Sequence, residues 1–421
     1  MKRAAVSIIC FCLFLMVGKA QNPQWVVYDT SDSPLLSNGV YAIQADGLGN
    51  KWIGARAILP GGGGGLCKLN KGVWTVFDTS NSDIPFNQAE PIAVDTDNNI
   101  WLGSSGLVKF DGTDWTRLST TFPSLFKAFT GIVIDANNDK WLGTYDELLK
   151  FDGSTVTSER SSVLGFDIGP VAIDVNDHIW LAHGFADFTS EGYLDHFDGV
   201  NWTSHYLSSS AITLITFDAL GDLWLGLSDS GIAKFDGSDF TIYSSDNSGI
   251  PGNRATSIAV DQNENKWIGL RGMGLIKFDG TNWTVYNTSN SGLPDNWVNT
   301  LYIDTYDNKW IGTENGGVAV FNELGVGIEN AGSGPSFQQL TVHPNPASEL
   351  ITISFNVASV SDASLNIYDV SGRIVANIDQ DIKPSQEHSF DYDVSELING
   401  VYYIRLTTEG FAATHKLVVT K

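Results

Sequence analysis

The sequence predicts an all-β protein: a seven-bladed β-propeller closed by its N-terminal strand, followed by a small Ig-like β-sandwich. Three observations support this prediction. An Asp followed six residues later by a Trp recurs seven times, at intervals of 39 to 49 residues, and a period of about 40–45 with four strand-like runs is typical of propeller blades. The residues before the first Asp–Trp pair include the pattern that the last strand of the later repeats shows. Beyond residue 336 the repeat is replaced by unrelated strand patterns.

Each repeat predicts four short strands. The seven pairs that define the repeats are Asp46/Trp52, Asp95/Trp101, Asp135/Trp141, Asp174/Trp180, Asp218/Trp224, Asp261/Trp267 and Asp304/Trp310. Apolar or Ala residues one and three positions before the Asp give the period of two expected of a first strand. A turn rich in Asp, Asn and Gly leads to the second strand, which carries the Trp. One Trp per repeat at constant phase predicts packing between blades rather than a ligand-stacking stripe.

The third and fourth strands are clearest in the sixth repeat. Gly274 to Phe278 forms the third strand, Asp279-Gly280 supplies the chemistry of a tight hairpin, and Trp283 to Tyr286 forms the fourth.

The phase of the repeats predicts how the ring closes. Trp25 to Tyr28 has the fourth-strand pattern but precedes the first repeat, whereas the last unit, Asp304 to Asn322, has no fourth strand. We therefore expect the opening strand to complete the final blade, because an open ring would leave unpaired backbone edges that favour association.

The predicted domains are a signal peptide (1–20), the propeller (21–324), a linker (325–336) and a C-terminal β-rich domain (337–421). Lys2 and Arg3 precede an apolar run, and small residues end at Ala20, which is the pattern of a secretory signal peptide. No later stretch is apolar enough to predict a transmembrane span. Removal of the peptide leaves Cys67 as the only cysteine, so no intramolecular disulfide is expected and a buried thiol is favoured.

The composition argues against some partners. The chain has 24 basic and 48 acidic residues, a formal net charge of −24. Such an acidic surface repels phosphate backbones, so nucleic acid is not an expected partner. Neutral glycans and cations remain compatible with it.

The repeats resemble the two-component regulator propeller repeat. The residues that carry the resemblance are Asp-x-x-x-Asn-Lys-Trp-Ile-Gly, then Lys-Phe-Asp-Gly, then Trp-Thr-Val-Tyr, over Trp25 to Asn322. In that family the repeats build extracytoplasmic sensor propellers, often glycan-sensing, ahead of a transmembrane kinase. Because this sequence shows neither a kinase nor a membrane span, the signalling role is not expected to carry over.

The tail resembles the type A C-terminal sorting domain of the type IX secretion system of Bacteroidetes. The matching motifs contain Pro344, Asn345, Pro346, Asp369, Gly372, Arg373, Gly400 and Lys416. The resemblance implies two partners, the type IX secretion machinery and a sortase-like peptidase that removes the domain and attaches the cargo to the surface. It therefore implies a secreted or outer-membrane cell-surface location. An ordinary Ig-like adhesion module is the alternative.

Candidate ligand-binding residues are those that depart from the repeat in loops of one propeller face. They are Arg56, His183, Asp187, Arg254, Arg271, Trp297 and Glu314. Trp297 is the only Trp outside the two template positions, and we hypothesise that it stacks on a sugar. A Trp that merely covers its own loop is the competing interpretation.

The sequence favours a non-enzymatic protein that binds a polysaccharide or protein ligand. No zinc-protease motif, nucleophile elbow or phosphate loop is present, and no catalytic residue is assigned. One alternative is a propeller lyase or hydrolase resembling streptogramin lyase, which needs a His with acidic and metal-binding companions over the channel; His183 is the available His. Another is an interaction scaffold without a small ligand. No cofactor or metal is expected. The oxygen groups of turns such as Asp95 to Asn99 are compatible with Ca²⁺, but side-chain hydrogen bonds within the turn explain these residues better.

Overall fold

The computed structural model of the chain describes residues 24–56, 63–103, 106–125, 127–161, 168–183, 192–208, 210–323, 338–357, 363–369, 373–378, 386–408 and 411–421. The predicted signal peptide and linker lie outside these residues. The all-β prediction is confirmed, since the described helical structure is limited to two short 3₁₀ turns, Leu118–Thr120 and Pro123–Leu125.

Within the described part of residues 24–323, the strands form seven four-stranded antiparallel sheets, which we number sheets 1 to 7 in chain order. The chain opens with β1 Trp25–Tyr28, which belongs to sheet 7. The strands of sheets 1 to 3 are β2 Val40–Ala45, β3 Lys51–Ala55, β4 Gly65–Asn70 and β5 Val73–Phe77; β6 Ile92–Val94, β7 Ile100–Leu102, β8 Val108–Phe110 and β9 Trp115–Arg117; β10 Phe129–Ile134, β11 Lys140–Thr144, β12 Glu147–Phe151 and β13 Val156–Ser161.

Sheets 4 to 7 continue the same order. Their strands are β14 Ile168–Ile173, β15 Ile179–His183, β16 Gly192–Phe197 and β17 Trp202–Ser208; β18 Ile212–Phe217, β19 Leu223–Leu227, β20 Ile232–Phe235 and β21 Phe240–Tyr243; β22 Ala255–Val260, β23 Lys266–Leu270, β24 Gly274–Phe278 and β25 Trp283–Tyr286; β26 Val298–Ile303, β27 Lys309–Thr313 and β28 Val318–Phe321. The first strands of successive sheets pack side by side, and β26 packs against both β22 and β2.

The strand β1 forms the fourth strand of sheet 7. It runs antiparallel to β28, with Trp25 opposite Phe321 and Tyr28 opposite Val318. The rings of Trp25 and Phe321 stack with their centroids 4.3 Å apart. The N-terminal and C-terminal strands of the repeat region therefore share one sheet.

The repeated Asp forms the turn between the first two strands of each sheet. In sheet 2, Asp95 Oδ1 accepts hydrogen bonds from the backbone N–H groups of Asp97 (3.0 Å) and Asn99 (2.8 Å). Asn98 lies between them with a φ of 64°, a conformation that Asn tolerates better than most residues. The same bonding pattern recurs at Asp46, Asp135, Asp174, Asp218, Asp261 and Asp304.

The tail forms two antiparallel sheets. Their strands are β29 Gln338–His343, β30 Leu350–Val357, β31 Ala363–Asp369, β32 Ile374–Ile378, β33 Gln386–Asp393, β34 Gly400–Thr408 and β35 Phe411–Val419. One sheet has the order β29-β30-β33 and the other β32-β31-β34-β35. Alternate residues of both sheets, such as Ile353, Phe355, Ile367, Ile404 and Leu417, are buried in one shared core, as expected of strands with one face inward.

Candidate functional site

The seven repeated Trp residues belong to the framework of the fold. Their side chains are 0–8% exposed, and each indole Nε1 donates a hydrogen bond of 2.8–3.2 Å to Oδ2 of the Asp in its own repeat. The polar end of each ring is therefore paired while its apolar surface is buried. This geometry leaves no Trp of the set exposed to stack on a ligand.

A buried lysine joins neighbouring sheets at four junctions of the described chain. The residue before the Trp reaches the preceding sheet, where its Nζ lies 3.2–3.9 Å from the Asp carboxylate and 4.5–5.2 Å from the centre of the Trp ring. These lysines are Lys51, Lys140, Lys266 and Lys309. Lys51 of sheet 1 makes these contacts with Asp304 and Trp310 of sheet 7.

Two of these carboxylates, Asp218 and Asp95, have a lowered pKa. Burial opposes ionisation of Asp218, but the bonds from Trp224 and Lys266 hold its pKa below the ordinary value. Likewise, despite burial, bonds from the Asn99 side chain and Trp101 keep the pKa of Asp95 low. The Lys-Trp pair of the repeat is visible in the sequence, but the contact of the lysine with the Asp and Trp of the preceding sheet was not predicted.

A cavity of about 560 Å³ opens among the first strands of sheets 1, 2, 3 and 7. Its walls combine aromatic, amide and hydroxyl groups. The side chains that supply these groups are Tyr41, Gln44, Gln88, Thr130, Tyr145 and Thr300, together with Glu90. Tyr145 is 57% exposed, so one aromatic ring of the wall is accessible to solvent. A volume of 300–1,000 Å³ is roughly the range of small-ligand sites.

A polar network borders this cavity and contains two of the predicted site residues, Arg56 and Glu314. The Arg56 guanidinium pairs with Glu90 and lies 3.7 Å from the centre of the Tyr41 ring. The Tyr41 hydroxyl donates to Glu314 Oε2 at 2.7 Å, which also accepts from Asn299 Nδ2 at 2.9 Å. We call these five residues the rim network.

Burial dominates the electrostatics of the rim network. It raises the pKa of Glu90 even though Arg56 opposes the shift. Burial also raises the pKa of Tyr41, and the bond to Glu314 adds to this effect. For Arg56, burial acts to lower the pKa, but Glu90, Tyr41 and Glu314 together outweigh burial and the pKa is raised. The network therefore holds an Arg cation and a neutral Tyr beside the cavity at neutral pH.

Three further predicted residues lie next to this network. Trp297 is 39% exposed, and the Arg271 guanidinium lies 4.7 Å from the centre of its ring. The backbone N–H of Arg271 donates to the carbonyl of Arg254 at 3.1 Å, and the N–H of Glu314 donates to the carbonyl of Trp297 at 2.9 Å. Both arginine residues are exposed.

The remaining two predicted residues are not part of this group. His183 ends β15, with Nε2 3.2 Å from the buried carboxylate of Asp195 and its ring stacked on Tyr193 at 4.9 Å. No contact within the described chain joins His183 to the rim network. Asp187 lies outside the described residues.

Sequence reasoning missed Tyr41, Glu90 and Asn299. The signal was present five residues before the repeated Asp, where the other copies have Thr130, Gly169, Thr213 and Thr256. Only sheets 1, 2 and 7 place a larger or charged side chain there, and these are neighbouring sheets in the structure. Two of the predicted residues, Arg254 and Trp297, stand seven positions before the Asp instead.

In the tail, the predicted sorting motifs hold the last strand and a hairpin. Asn345 Nδ2 donates to the carbonyl of Lys416 at 2.7 Å, and Asn345 Oδ1 accepts from the N–H of Val418 at 2.8 Å. The peptide bonds before Pro344 and Pro346 are cis.

The other motif residues lie on neighbouring strands of the tail. Both carboxylate oxygens of Asp369 accept from Arg373, at 3.1 Å each. Gly400 begins β34 opposite Val419. Gly372 lies outside the described residues.

Comparison with protein families identifies this tail. Residues 341–420 match the model described as "Secretion system C-terminal sorting domain". The tail is a secretion sorting domain. The predicted resemblance is thereby confirmed, and the chain is cargo of the type IX system that is delivered to the cell surface or outside the cell. No helix among the described residues is long and apolar enough to cross a membrane. No curated protein matches the chain.

Solved structures from several kinds of protein have similar folds. The extracellular domain of a hybrid two-component system from B. thetaiotaomicron is 14% identical, with a TM-score of 0.59, covering 95% of this chain and 58% of that one. PorZ, a surface component of the type-IX secretion system of Porphyromonas gingivalis, is 18% identical, with a TM-score of 0.56, covering 94% and 61%. Streptogramin B lyase is 14% identical, with a TM-score of 0.58, covering 71% and 97%.

At these identities the likeness concerns the fold alone. The chain spans about three fifths of the length of the first two structures. These neighbours support the propeller fold, but they assign no ligand or activity to this chain.

Proposed function

We propose that the protein is a secreted, non-enzymatic propeller that binds a glycan in the cavity bordered by the rim network. The observation that carries the proposal is the cavity itself. It combines the exposed ring of Tyr145 with the amides of Gln44 and Gln88 and the hydroxyls of Thr130 and Thr300. Sugars present apolar C–H faces and many hydroxyls, so an aromatic platform ringed by amide and hydroxyl groups matches their chemistry.

The architecture that supports the site is a closed ring of seven blades. In this arrangement, sheet 7 is completed by β1, and Lys51 ties sheet 1 to sheet 7 through Asp304 and Trp310. The first strands then surround a central channel, and the cavity occupies its wall between sheets 7, 1, 2 and 3. The sorting domain in this scheme is an Ig-like sandwich.

The rim network gives the binding surface its fixed shape. Arg56, Glu90, Tyr41 and Glu314 satisfy one another's charges and hydrogen bonds, so these groups hold their positions before a ligand arrives. Trp297 extends the surface outward as a second aromatic platform. Arg254 and Arg271 place positive charge beside it, which would favour a sugar that carries a carboxylate.

Export completes the functional assignment. The N-terminal signal peptide directs the chain across the inner membrane, and the sorting domain directs it across the outer membrane. A sortase-like peptidase then removes the tail and attaches the propeller to the cell surface. The ligand surface would consequently face the medium, where polysaccharides are accessible.

A lyase function is less well supported. His183, the His available for such a function, pairs with buried Asp195 and is absent from the described residues that line the cavity. A protein ligand or a scaffold role would use the same face without requiring the aromatic and amide groups of the cavity. These possibilities are separate outcomes of the binding experiment.

The experiment is a glycan and peptide array probed with the full chain, followed by calorimetric titration of each bound compound. We expect an oligosaccharide to bind and Tyr145→Ala or Gln88→Ala to weaken it by about tenfold or more, since one lost stacking or hydrogen-bonding contact contributes about 1–1.5 kcal/mol. Trp297→Ala should weaken the binding of longer oligosaccharides more than the binding of short ones.

The matched control is Tyr206→Ala, because Tyr206 is similarly exposed, at 55%, but does not line the cavity. Binding of peptides alone, or glycan binding that survives both cavity substitutions, would overturn the proposed site. Turnover of a bound compound would overturn the non-enzymatic assignment.

A further inference from the structure

Sheet 4 replaces the lysine and the amide or acid of the other repeats with two histidines. At the end of the turn, His178 occupies the position of Asn50, Asn99, Asp139, Asp222, Asn265 and Asn308. On the third strand, His196 occupies the position of Lys68, Lys109, Lys150, Lys234 and Lys277. Where the turn residue is an acid, the lysine pairs with it, as Lys150 does with Asp139 at 2.9 Å and Lys234 with Asp222 at 2.6 Å. In sheet 4 both members of the pair are changed together.

The two imidazoles converge on the repeated Asp of their own sheet. His178 Nδ1 lies 3.4 Å from Asp174 Oδ2 and 3.2 Å from His196 Nε2. One donor atom from each residue lies within 4.8 Å of the other two. Two ligands about 2.0–2.1 Å from a tetrahedral metal ion are separated by about 3.3–3.4 Å, so the two measured separations match the edges of a tetrahedral site.

The surrounding hydrogen bonds orient the carboxylate toward this point. Asp174 Oδ1 accepts the backbone N–H groups of Asn176 (2.8 Å) and His178 (3.0 Å), while Trp180 Nε1 donates to Oδ2 at 3.2 Å. The His196 ring stacks on Trp180 with centroids 4.1 Å apart. The donor atoms are therefore fixed by contacts around them, as metal ligands usually are.

The site also lacks the cation that accompanies most of the repeated Asp–Trp pairs. The next sheet has Leu223 where Lys51, Lys140, Lys266 and Lys309 occur, and within the described chain no lysine lies in ion-pair distance of Asp174. A divalent ion would supply the positive charge that these lysines provide beside the carboxylate and the indole elsewhere. The side chains of His178 and Asp174 are 31% and 15% exposed, so an ion can enter from solvent.

We propose that Asp174, His178 and His196 form a binding site for a first-row transition metal ion of the Zn²⁺ type. Two imidazole nitrogens and one carboxylate oxygen suit Zn²⁺, Co²⁺, Ni²⁺ and Cu²⁺ better than Ca²⁺ or Mg²⁺, which prefer oxygen ligands. Three protein ligands leave a fourth position for water. The ion replaces the lysine–carboxylate pair of sheets 3 and 5 and links the turn to the third strand.

The test is calorimetric titration of ZnCl₂ into the full chain, purified without a histidine tag and stripped of metal with a chelator. We expect one Zn²⁺ per chain with a dissociation constant of about 1 μM or below. The melting temperature should rise with Zn²⁺, because the ion binds the folded state. Titration with Co²⁺ should give the strong visible absorption of a four-coordinate ion.

Two variants restore residues that the other repeats use and should therefore fold. His178→Asn and His196→Lys should each weaken Zn²⁺ binding by about 100-fold or more and abolish the Zn²⁺-dependent rise in melting temperature. His343→Gln, at an exposed position of the tail, is the matched control and should bind as the unsubstituted chain does. Failure to bind one equivalent of Zn²⁺, or equal binding by all four proteins, would overturn the proposal.

Discussion

The buried lysine between sheets 6 and 7 provides the sharpest test of how neighbouring sheets are held together. Lys309 is fully buried, and its Nζ lies 2.8 Å from Asp307 Oδ2 and 3.9 Å from Asp261 Oδ2. It also lies 4.8 Å from the centre of the Trp267 ring. The substitution Lys309→Met keeps most of the side-chain length, so it removes the charge without opening a large cavity.

The expected loss follows from the burial of the partner. The Asp261 side chain is 0% exposed, so removal of the cation leaves a carboxylate that cannot regain water. Breaking a buried ion pair by removing one partner typically lowers the free energy of unfolding by about 3–5 kcal/mol. Burial already raises the pKa of Asp307, which Lys309 opposes. Removal of the Lys309 charge should raise this pKa further, so protonation stabilises the folded variant more than the folded unsubstituted chain, and the loss should be smaller in mild acid than at pH 7.

The assay is urea unfolding of the full chain followed by tryptophan fluorescence, with the free energy taken from the midpoint and slope. Lys109→Met is the matched control, because Lys109 lies 6.0 Å from the Trp101 ring on a partly exposed face. It should lower the free energy of unfolding by less than about 1 kcal/mol. Equal losses in the two variants, or a loss below about 1 kcal/mol for Lys309→Met, would refute the reasoning.

Four other predictions follow from the same contacts. Deletion of residues 21–30 removes β1 and exposes the edge of sheet 7. We expect the melting temperature to fall by about 10 °C or more and the protein to self-associate. An unchanged calorimetric scan together with a monomeric elution volume would contradict this expectation. Burial raises the pKa of Cys67 to about 11, so the native thiol should not react with a disulfide reagent at about pH 8 but should react in denaturant; rapid labelling of the folded chain would show that the site is open. Asn345→Ala removes both side-chain hydrogen bonds to β35 and should speed hydrogen exchange at the backbone amides of β35 by about tenfold. Asn377→Ala, on an exposed part of β32, should leave this exchange unchanged. The folded-state pKa of Asp95 is low, so the contribution of this carboxylate to stability is present above about pH 4 and is lost as the pH falls through the folded-state pKa. Urea unfolding midpoints measured from about pH 6 to about pH 3 should therefore decline less in Asp95→Asn than in the unsubstituted chain.

Local patterns in the sequence were sufficient to predict the strands and their order. The alternation before each Asp, the Asp-Gly hairpins and the Asp/Asn turns act over a few residues, so they can be read without knowledge of the rest of the chain. The fourth-strand pattern at Trp25 predicted a partner in the last repeat, and β1 does pair with β28. The motifs around Asn345, Asp369 and Gly400 were sufficient to recognise the sorting domain.

The candidate binding surface was predicted less completely. Departure from the repeat drew attention to Arg56 and Glu314, which belong to the rim network, and to Trp297 and Arg271, which contact each other. It did not reveal Tyr41, whose position on an inner strand resembled an ordinary core residue. Whether these residues bind a ligand remains a prediction.

The sequence by itself determined the all-β class, the repeat, the turns and the export of the protein, because each depends on residues that are close in the chain. Only the tertiary structure decided which departures from the repeat meet. Tyr41 and Glu314 are separated by 273 positions, yet their side chains lie 2.7 Å apart, and His178 meets His196 across two strands. The contact between Tyr41 and Glu314 depends on how sheet 1 packs against sheet 7, which no local pattern specifies. The contact between the two histidines depends on the pairing of β15 with β16, which places His196 beside the turn that ends at His178.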